Sequence, residues 1–226
     1  MTTRPPAEVG MPLAAVDTPA LLLDLDAFER NIARLAKAAA DARIRLRPHA
    51  KTHKSPVIAR RQMASGAVGV CCQKVGEAEA MVYGGVPDVL ISNEIVGTPK
   101  IHRLVALAKQ ARVAVCADDA GNVASLNQAA AAFGVRLSVL VEVNVGSNRC
   151  GVEPGEPTVA LAKGIAASPA LRFGGLQAYY GAAQHLREYR KRKEAVEAAG
   201  EKIRGTVDLL LRHGLACEIV SGAGTG

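Results

Sequence analysis

The sequence predicts an α/β fold, a TIM-like (β/α) barrel that is incomplete because no eighth strand follows the seventh. Three observations carry this. Short runs rich in Val, Ile and Leu alternate strictly with helical stretches through short connections, which calls for parallel strands and right-handed crossovers. The chain is 49% hydrophobic but only 3% aromatic, with no Trp, so its core is built from Ala, Val, Leu and Ile, as where helices pack on buried parallel strands. Polar residues able to do chemistry recur just after predicted strand C-termini, where barrels place their sites. These are Lys51, Gln73, Asn93, Asn148 with Arg149, Gln177 with Tyr179, and the final glycines. A doubly wound sheet also fits the alternation, but no G-x-G-x-x-G follows the first strand.

Residues 1–16 read as a flexible leader and 17–226 as the folded domain. Ala20 to Leu25 is a short apolar strand that either lies outside the barrel or helps to close it. Asp26 caps a helix to about Asp41, with Phe28, Ile32 and Leu35 on one face. Ile44 to Pro48 is a strand. Ser55-Pro56 opens a helix that stops at Gly66, proline being tolerated in the first turn. Val68 to Cys72 is a strand, Gly76 to Tyr83 a helix ended by Gly84-Gly85, and Asp88 to Ser92 a strand. Thr98-Pro99 starts a helix through Gln110, followed by a strand at Val113 to Ala117. Asp118 or Asp119 caps a helix through Phe133, and Val135 to Val143 is a longer strand. A helix over Gly155 to Ala167 precedes a strand over Leu171 to Tyr179. Gln184 to Arg212 is long, charged and helical, weakened at Gly200 and Gly205. Ala216 to Val220 is the last strand. Without the first, this gives seven barrel strands.

The net charge of +7 allows weak attraction to polyanions. No zinc-finger spacing or aromatic–basic interleaving accompanies it, so nucleic acid is not the expected partner. The five cysteines, at 71, 72, 116, 150 and 217, are odd in number and mostly within apolar runs. Reduced, buried thiols and a cytoplasmic location are the expectation. No run reaches membrane-spanning length and no signal-type apolar segment opens the chain, so no membrane partner is expected.

The chemistry centres on Arg45-Leu46-Arg47-Pro48-His49-Ala50-Lys51-Thr52-His53-Lys54. With a period of two, Ile44, Leu46 and Pro48 face one way and Arg45, Arg47, His49 and Lys51 the other. Neighbouring positive charge disfavours the ammonium form of a lysine, which suits Lys51 to attack a carbonyl and form a Schiff base. A solvated basic strand end or a phosphate patch is the other reading. Ser221-Gly222-Ala223-Gly224-Thr225-Gly226 reads either as a loop whose backbone N–H groups converge on a phosphate or as a Gly-rich end. Arg149 can pair with a phenolate, carboxylate or phosphate. Gln177 and Tyr179 share a strand face and can address the same ring. His53 and His185 are candidate acid/base groups. No internally spaced metal site is found. His49 and His53 have helical spacing, but Pro48 and the strand argue against a helix.

Several of these stretches together resemble the D-threonine aldolase family, relatives of D-serine dehydratase that share the alanine racemase N-terminal barrel. They are Arg47 to Lys54, Gly69-Val70-Cys71-Cys72-Gln73-Lys74, Ile91-Ser92-Asn93-Glu94, Asn148-Arg149-Cys150-Gly151-Val152-Glu153-Pro154-Gly155, Gln177-Ala178-Tyr179 and Ser221-Gly222-Ala223-Gly224-Thr225. The resemblance runs from about Asp17 to Gly226. It implies a lyase acting on D-β-hydroxy amino acids that yields glycine and an aldehyde, with pyridoxal phosphate bound covalently to Lys51. It places Arg149 on the phenolic-oxygen side of the cofactor and Tyr179 near its ring. Ser221, Gly222, Gly224 and Thr225 would hold the phosphate, with His53, Gln73 and Gln177 lining the pocket. The family carries a further β-rich C-terminal domain that ligates a divalent metal. Such a domain is not present in these 226 residues, so weak cofactor binding, little turnover and an exposed apolar area are expected of the chain alone. Complete family members are expected to be homodimers. Tyr180 stands where the aldolases lead one to expect His, which leaves the substrate open. A D-serine dehydratase-type lyase and a non-catalytic cofactor-carrying barrel remain as alternatives.

Overall fold

The computed structural model describes residues 7–224. The chain forms two units, Met1–Ile44 and Arg45–Gly226. In the first, helix α1 (Leu25–Asp41) is capped by Asp24, whose side chain accepts from Ala27 N–H at 2.8 Å. The cap is therefore Asp24 rather than the expected Asp26, which sits in the first turn. The expected strand at 20–25 is absent among the described residues, and Leu21, Leu22 and Leu23 are exposed. An apolar run without strand neighbours has no ladder to join.

In the second unit helices and strands alternate. They are α2 (Pro56–Ala64), β1 (Val70–Cys72), α3 (Val75–Tyr83), β2 (Asp88–Glu94), α4 (Thr98–Leu107), β3 (Arg112–Ala117), α5 (Ala120–Phe133), β4 (Leu137–Glu142), α6 (Glu156–Ala166), β5 (Leu171–Ala178), α7 (Tyr189–Arg212) and β6 (Ile219–Gly222). The ends follow local chemistry. Ser55 caps α2 with Pro56 in its first turn, Asp119 caps α5 through Asn122 N–H at 2.8 Å, and Gly134 closes α5 at φ +65°. Gly200 and Gly205 stay inside α7, so the expected weakening does not break it. The predicted helix over 184–212 is instead a 3-10 turn (Gly181–His185) followed by α7 from Tyr189. No helix among the described residues is long and apolar enough to cross a membrane.

The six strands among the described residues are all parallel and lie in sequence order. Order without reversal excludes the doubly wound alternative, which needs a switch point, and makes the sheet the wall of an incomplete α/β barrel. The expected strand at 44–48 is not formed as such. Its chain runs beside β1 with a single parallel bridge, His49 to Cys71, and with the Ala50 and Cys71 amides donating to Cys71 and Pro48 carbonyls at 2.7 and 2.8 Å. Proline at 48 removes one ladder donor, which limits the pairing.

Outward strand residues, among them Val70, Val89, Ile91, Val115, Val139 and Val141, pack with Met81, Leu104, Leu126, Ile165 and Leu210 of the helices. The opposite face carries a small apolar cluster of Leu90, Cys116 and Leu140. In β5 the alternation slips by one residue opposite Val139/Leu140. Leu171 and Phe173 join the outer core, and so do Leu176 and Ala178. The slip passes through Gly174-Gly175. Gly175 has φ +131°, and a Cβ there would lie 1.9 Å from the Ile219 carbonyl oxygen, so only glycine fits. It turns Gln177 to the inner face, level with Glu142 and Ser221.

Candidate active site

The C-terminal strand ends gather the polar groups. Lys51 lies in a turn immediately after the segment bridged to β1, and its side chain is exposed. Its backbone N–H donates to His49 Nδ1 at 3.2 Å, and its carbonyl accepts from Lys54 Nζ at 2.8 Å. Its amine has no hydrogen-bond or ion-pair partner among the described residues. The basic cluster expected around it is dispersed. Arg45 reaches the Glu218 carbonyl at 3.2 Å, Arg47 pairs with Asp88 at 2.7 Å, and Lys54 pairs with buried Glu77 at 3.0 Å. Burial is the main cause that keeps the His49 imidazole below its ordinary pKa, with Lys51 adding to it.

His53 Nδ1 accepts the Ser55 N–H at 3.0 Å, so the neutral ring carries its proton on Nε2, which is buried with no partner among the described residues. Burial lowers its pKa. In this tautomer Nε2 is a donor, not a base. Gln73 has an exposed side chain, and its backbone N–H donates to Glu77 at 2.8 Å. His185 is exposed.

Across the sheet, the turn after β4 is organised by Asn144. Its Oδ1 accepts from the Gly146 and Asn148 amides, while its Nδ2 donates to Asn148 and Glu153. Asn148 adopts φ +48°, a conformation that asparagine tolerates. This delivers Arg149, whose guanidinium sits 5.4 Å from the centre of the Tyr179 ring, within cation–π range. Tyr179 Oη accepts from Gln184 Nε2 at 2.7 Å. Tyr180 packs over Gly146, where a Cβ would come within 3.1 Å of the ring. Gln177 is buried, with Oε1 unpartnered among the described residues. Ser221 and Gly222 end β6. A Cβ at Gly222 would meet the Ala178 carbonyl oxygen at 2.6 Å, and one at Gly224 would meet Gln184 at 2.8 Å. Ala223 lies between them at φ +73°. Thr225 lies outside the described residues.

The structure adds carboxylates that sequence reasoning missed. Glu142, on the inner face of β4, is 3% exposed and lies 4.0 Å from Arg149 Nη2. Burial pushes its pKa up to about 8, and Glu94 adds to this while Arg149 opposes it. At 4.0 Å Arg149 makes no hydrogen bond to Glu142, and the raised pKa leaves Glu142 a neutral acid beside it rather than an ion-pair partner. Glu94, Glu142 and Cys150 bring potential metal-ligand atoms within 4.8 Å of one another. Burial raises the Cys150 thiol as well, so Glu142 and Cys150 both favour their protonated forms. Its signal was a lone Glu at inward parity in the apolar run Leu137–Val143. A cavity of about 590 Å³ lined by Met63, Val68, Asp88 and Arg112 lies at the opposite, N-terminal ends of β2 and β3 and belongs to none of this.

A lysine, an arginine stacked on a tyrosine and a glycine-rich strand end on one barrel rim define a class. Residues 23–226 match the model of the alanine racemase N-terminal domain, and the chain belongs to that family. It is 47% identical over 223 residues to a D-threonine aldolase of an Arthrobacter species, covering 98% of this chain and 59% of the relative. It is also 47% identical to a 3-hydroxy-D-aspartate aldolase of Paracoccus denitrificans, covering 98% and 58%. The crystal structure of a D-threonine aldolase from Filomicrobium marinum superimposes with a TM-score of 0.96 at 55% identity, over 99% of this chain and 61% of that one. The chain thus spans about 60% of the length of these relatives.

Proposed function

We propose that the chain supplies the cofactor-binding, lysine-bearing barrel of a pyridoxal-phosphate-dependent lyase that acts on D-β-hydroxy amino acids, cleaving D-threonine to glycine and an aldehyde. The observation that carries this is the convergence of Lys51, the Arg149–Tyr179 stack and the Ser221–Gly224 strand end on one rim, in a chain close to aldolases along its whole length.

The donor set fits the cofactor. Lys51 offers an exposed, unpartnered primary amine for its carbonyl carbon. Arg149 offers a guanidinium to an oxyanion, held against Tyr179. Gly222 and Gly224 leave backbone accessible to a phosphate where side chains cannot enter, with Ser221 beside them and Thr225 next in the sequence as a further hydroxyl. The buried, unpartnered Gln177 Oε1 and Ser147 Oγ are polar atoms awaiting a partner. Pyridoxal phosphate, when bound, supplies the electron sink for the bond being broken. The protein's part is to bind, orient and hold protons. Gln73 and His53 line the lysine side, and His53 acts from Nε2 as a hydrogen-bond donor, not as the base that the sequence allowed. A divalent metal held outside this chain and a homodimer of the complete protein belong to the same reading. So does a cytoplasmic location, which the five free cysteines, three of them buried, support.

The test is cofactor trapping. The protein is incubated with pyridoxal phosphate, its visible band recorded, borohydride added and the labelled peptide mapped. Label on Lys51, lost in Lys51→Ala, supports the reading, whereas label scattered over surface lysines refutes it. Release of glycine and aldehyde from D-threonine supports the aldolase, and release of a 2-oxo acid from a D-β-hydroxy amino acid in its place refutes it in favour of a dehydratase.

A further inference from the structure

One buried carboxylate ties the Lys51 turn to the barrel wall. Glu77 lies in the first turn of α3 and is 4% exposed. One of its oxygens accepts the Gln73 N–H at 2.8 Å, and the other accepts from Lys54 Nζ at 3.0 Å. The same Lys54 ammonium donates to the Lys51 carbonyl at 2.8 Å. Lys54 is set for this by its own backbone, which donates to the Ala50 carbonyl at 2.8 Å and adopts φ +50°. That conformation is uncommon for lysine and persists where the surroundings impose it. Glu77 thus holds two segments of the rim at once, the turn carrying Lys51 and the residue following β1.

Electrostatics agree with the geometry. Burial pushes the Glu77 carboxyl up, but the Gln73 amide and the Lys54 ammonium more than offset it and leave it below the usual range. A buried charge costs more than the neutral amide that fills the same space, so helix packing alone does not call for it. His49 and Cys72 are the other titratable groups that face Glu77, and His49 also faces Lys51.

We infer that Glu77 is a positioning residue for Lys51, acting through the Lys54 bridge to the Lys51 carbonyl to fix the turn that carries it. This rests on Lys51 being the cofactor-binding lysine.

The variants Glu77→Gln and Lys54→Met remove opposite charges from one bridge. Hydrogen exchange of the cofactor-free protein is measured first. Amides of residues 50–55 exchange about tenfold faster in both variants, as expected for loss of a charge-assisted bond, while β3 to β5 keep their protection. Unchanged exchange at 50–55 overturns the inference. The pH midpoint of the visible band of the bound cofactor is measured next. Glu77→Gln moves it to lower pH and Lys54→Met moves it to higher pH, as loss of a negative and of a positive charge at the turn that carries Lys51 requires. A purely structural role shifts both the same way or neither, and that result overturns the inference. If Glu77→Gln fails to fold, Lys54→Met, whose side chain is 55% exposed, decides both arms. Failure to label Lys51 in the wild-type protein overturns the assignment of Lys51 itself, and the exchange data then still report whether the clamp exists.

Discussion

Replacing Glu142 by Gln probes the electrostatics of the rim directly. The Glu142 carboxyl is 3% exposed, and burial with Glu94 beside it raises its pKa from 4.5 to about 8. The folded protein therefore keeps a proton that the unfolded chain releases above pH 4.5. Between the two values the folded state binds more protons, so this group makes stability fall as pH rises. Its contribution is fully present below the unfolded pKa and is lost once pH passes the folded one. At about 1.4 kcal/mol per pH unit, the whole interval sets an upper limit of about 5 kcal/mol. Glutamine has the shape of the neutral acid and does not titrate. His49 and His53 act with the opposite sign, because burial lowers their folded pKa. They favour the folded state as pH rises through the unfolded value, but they are present in both proteins and cancel in the difference. Urea midpoints of wild type and Glu142→Gln are compared from about pH 5 to about pH 8.5. The Gln variant is expected to gain on wild type steadily as pH rises, by several kcal/mol at the alkaline end. Parallel profiles would refute the reasoning and place an ionised Glu142 against Arg149.

Two further outcomes follow from local geometry. Gly175→Ala puts a Cβ into the Ile219 carbonyl oxygen at a backbone angle that alanine resists, so the β5–β6 pairing loosens at a cost of about 2–3 kcal/mol or more; an unchanged melting temperature would contradict this. Asp119→Ala removes the side-chain cap from α5 and is expected to lower stability by about 1 kcal/mol in urea denaturation, without altering cofactor labelling at Lys51.

Much of the fold is legible in the sequence, because its signals are local. Alternating β-branched residues place Val89, Ile91, Val113 and Val115 on one face whatever the rest of the chain does. Ser55-Pro56, Asp119 and Gly134 mark helix ends through their own side chains or backbone freedom. Lys51, Gln177 and Tyr179 were findable as polar residues at strand ends. The resemblance of whole motifs to the aldolases added what periodicity cannot, namely which chemistry the lysine serves.

Other features needed the tertiary structure. The segments at 20–25 and 44–48 have the composition of strands, but a strand is made by its neighbours, and only Pro48–Ala50 pairs with β1. The partners of Arg47 and Lys54 stand 41 and 23 residues away, so nothing nearby in sequence reveals that these cations pair with Asp88 and Glu77. The role of Glu142 depends on burial and on Glu94 two strands away, both set by sheet order. Sequence determined most of the helices and the strands between residues 68 and 222, and which lysine follows the segment at 44–48, since short-range sterics and periodicity suffice for that. Only the folded chain decided which charges meet and which acid keeps its proton, because pairing and desolvation depend on residues that the chain brings together from far apart.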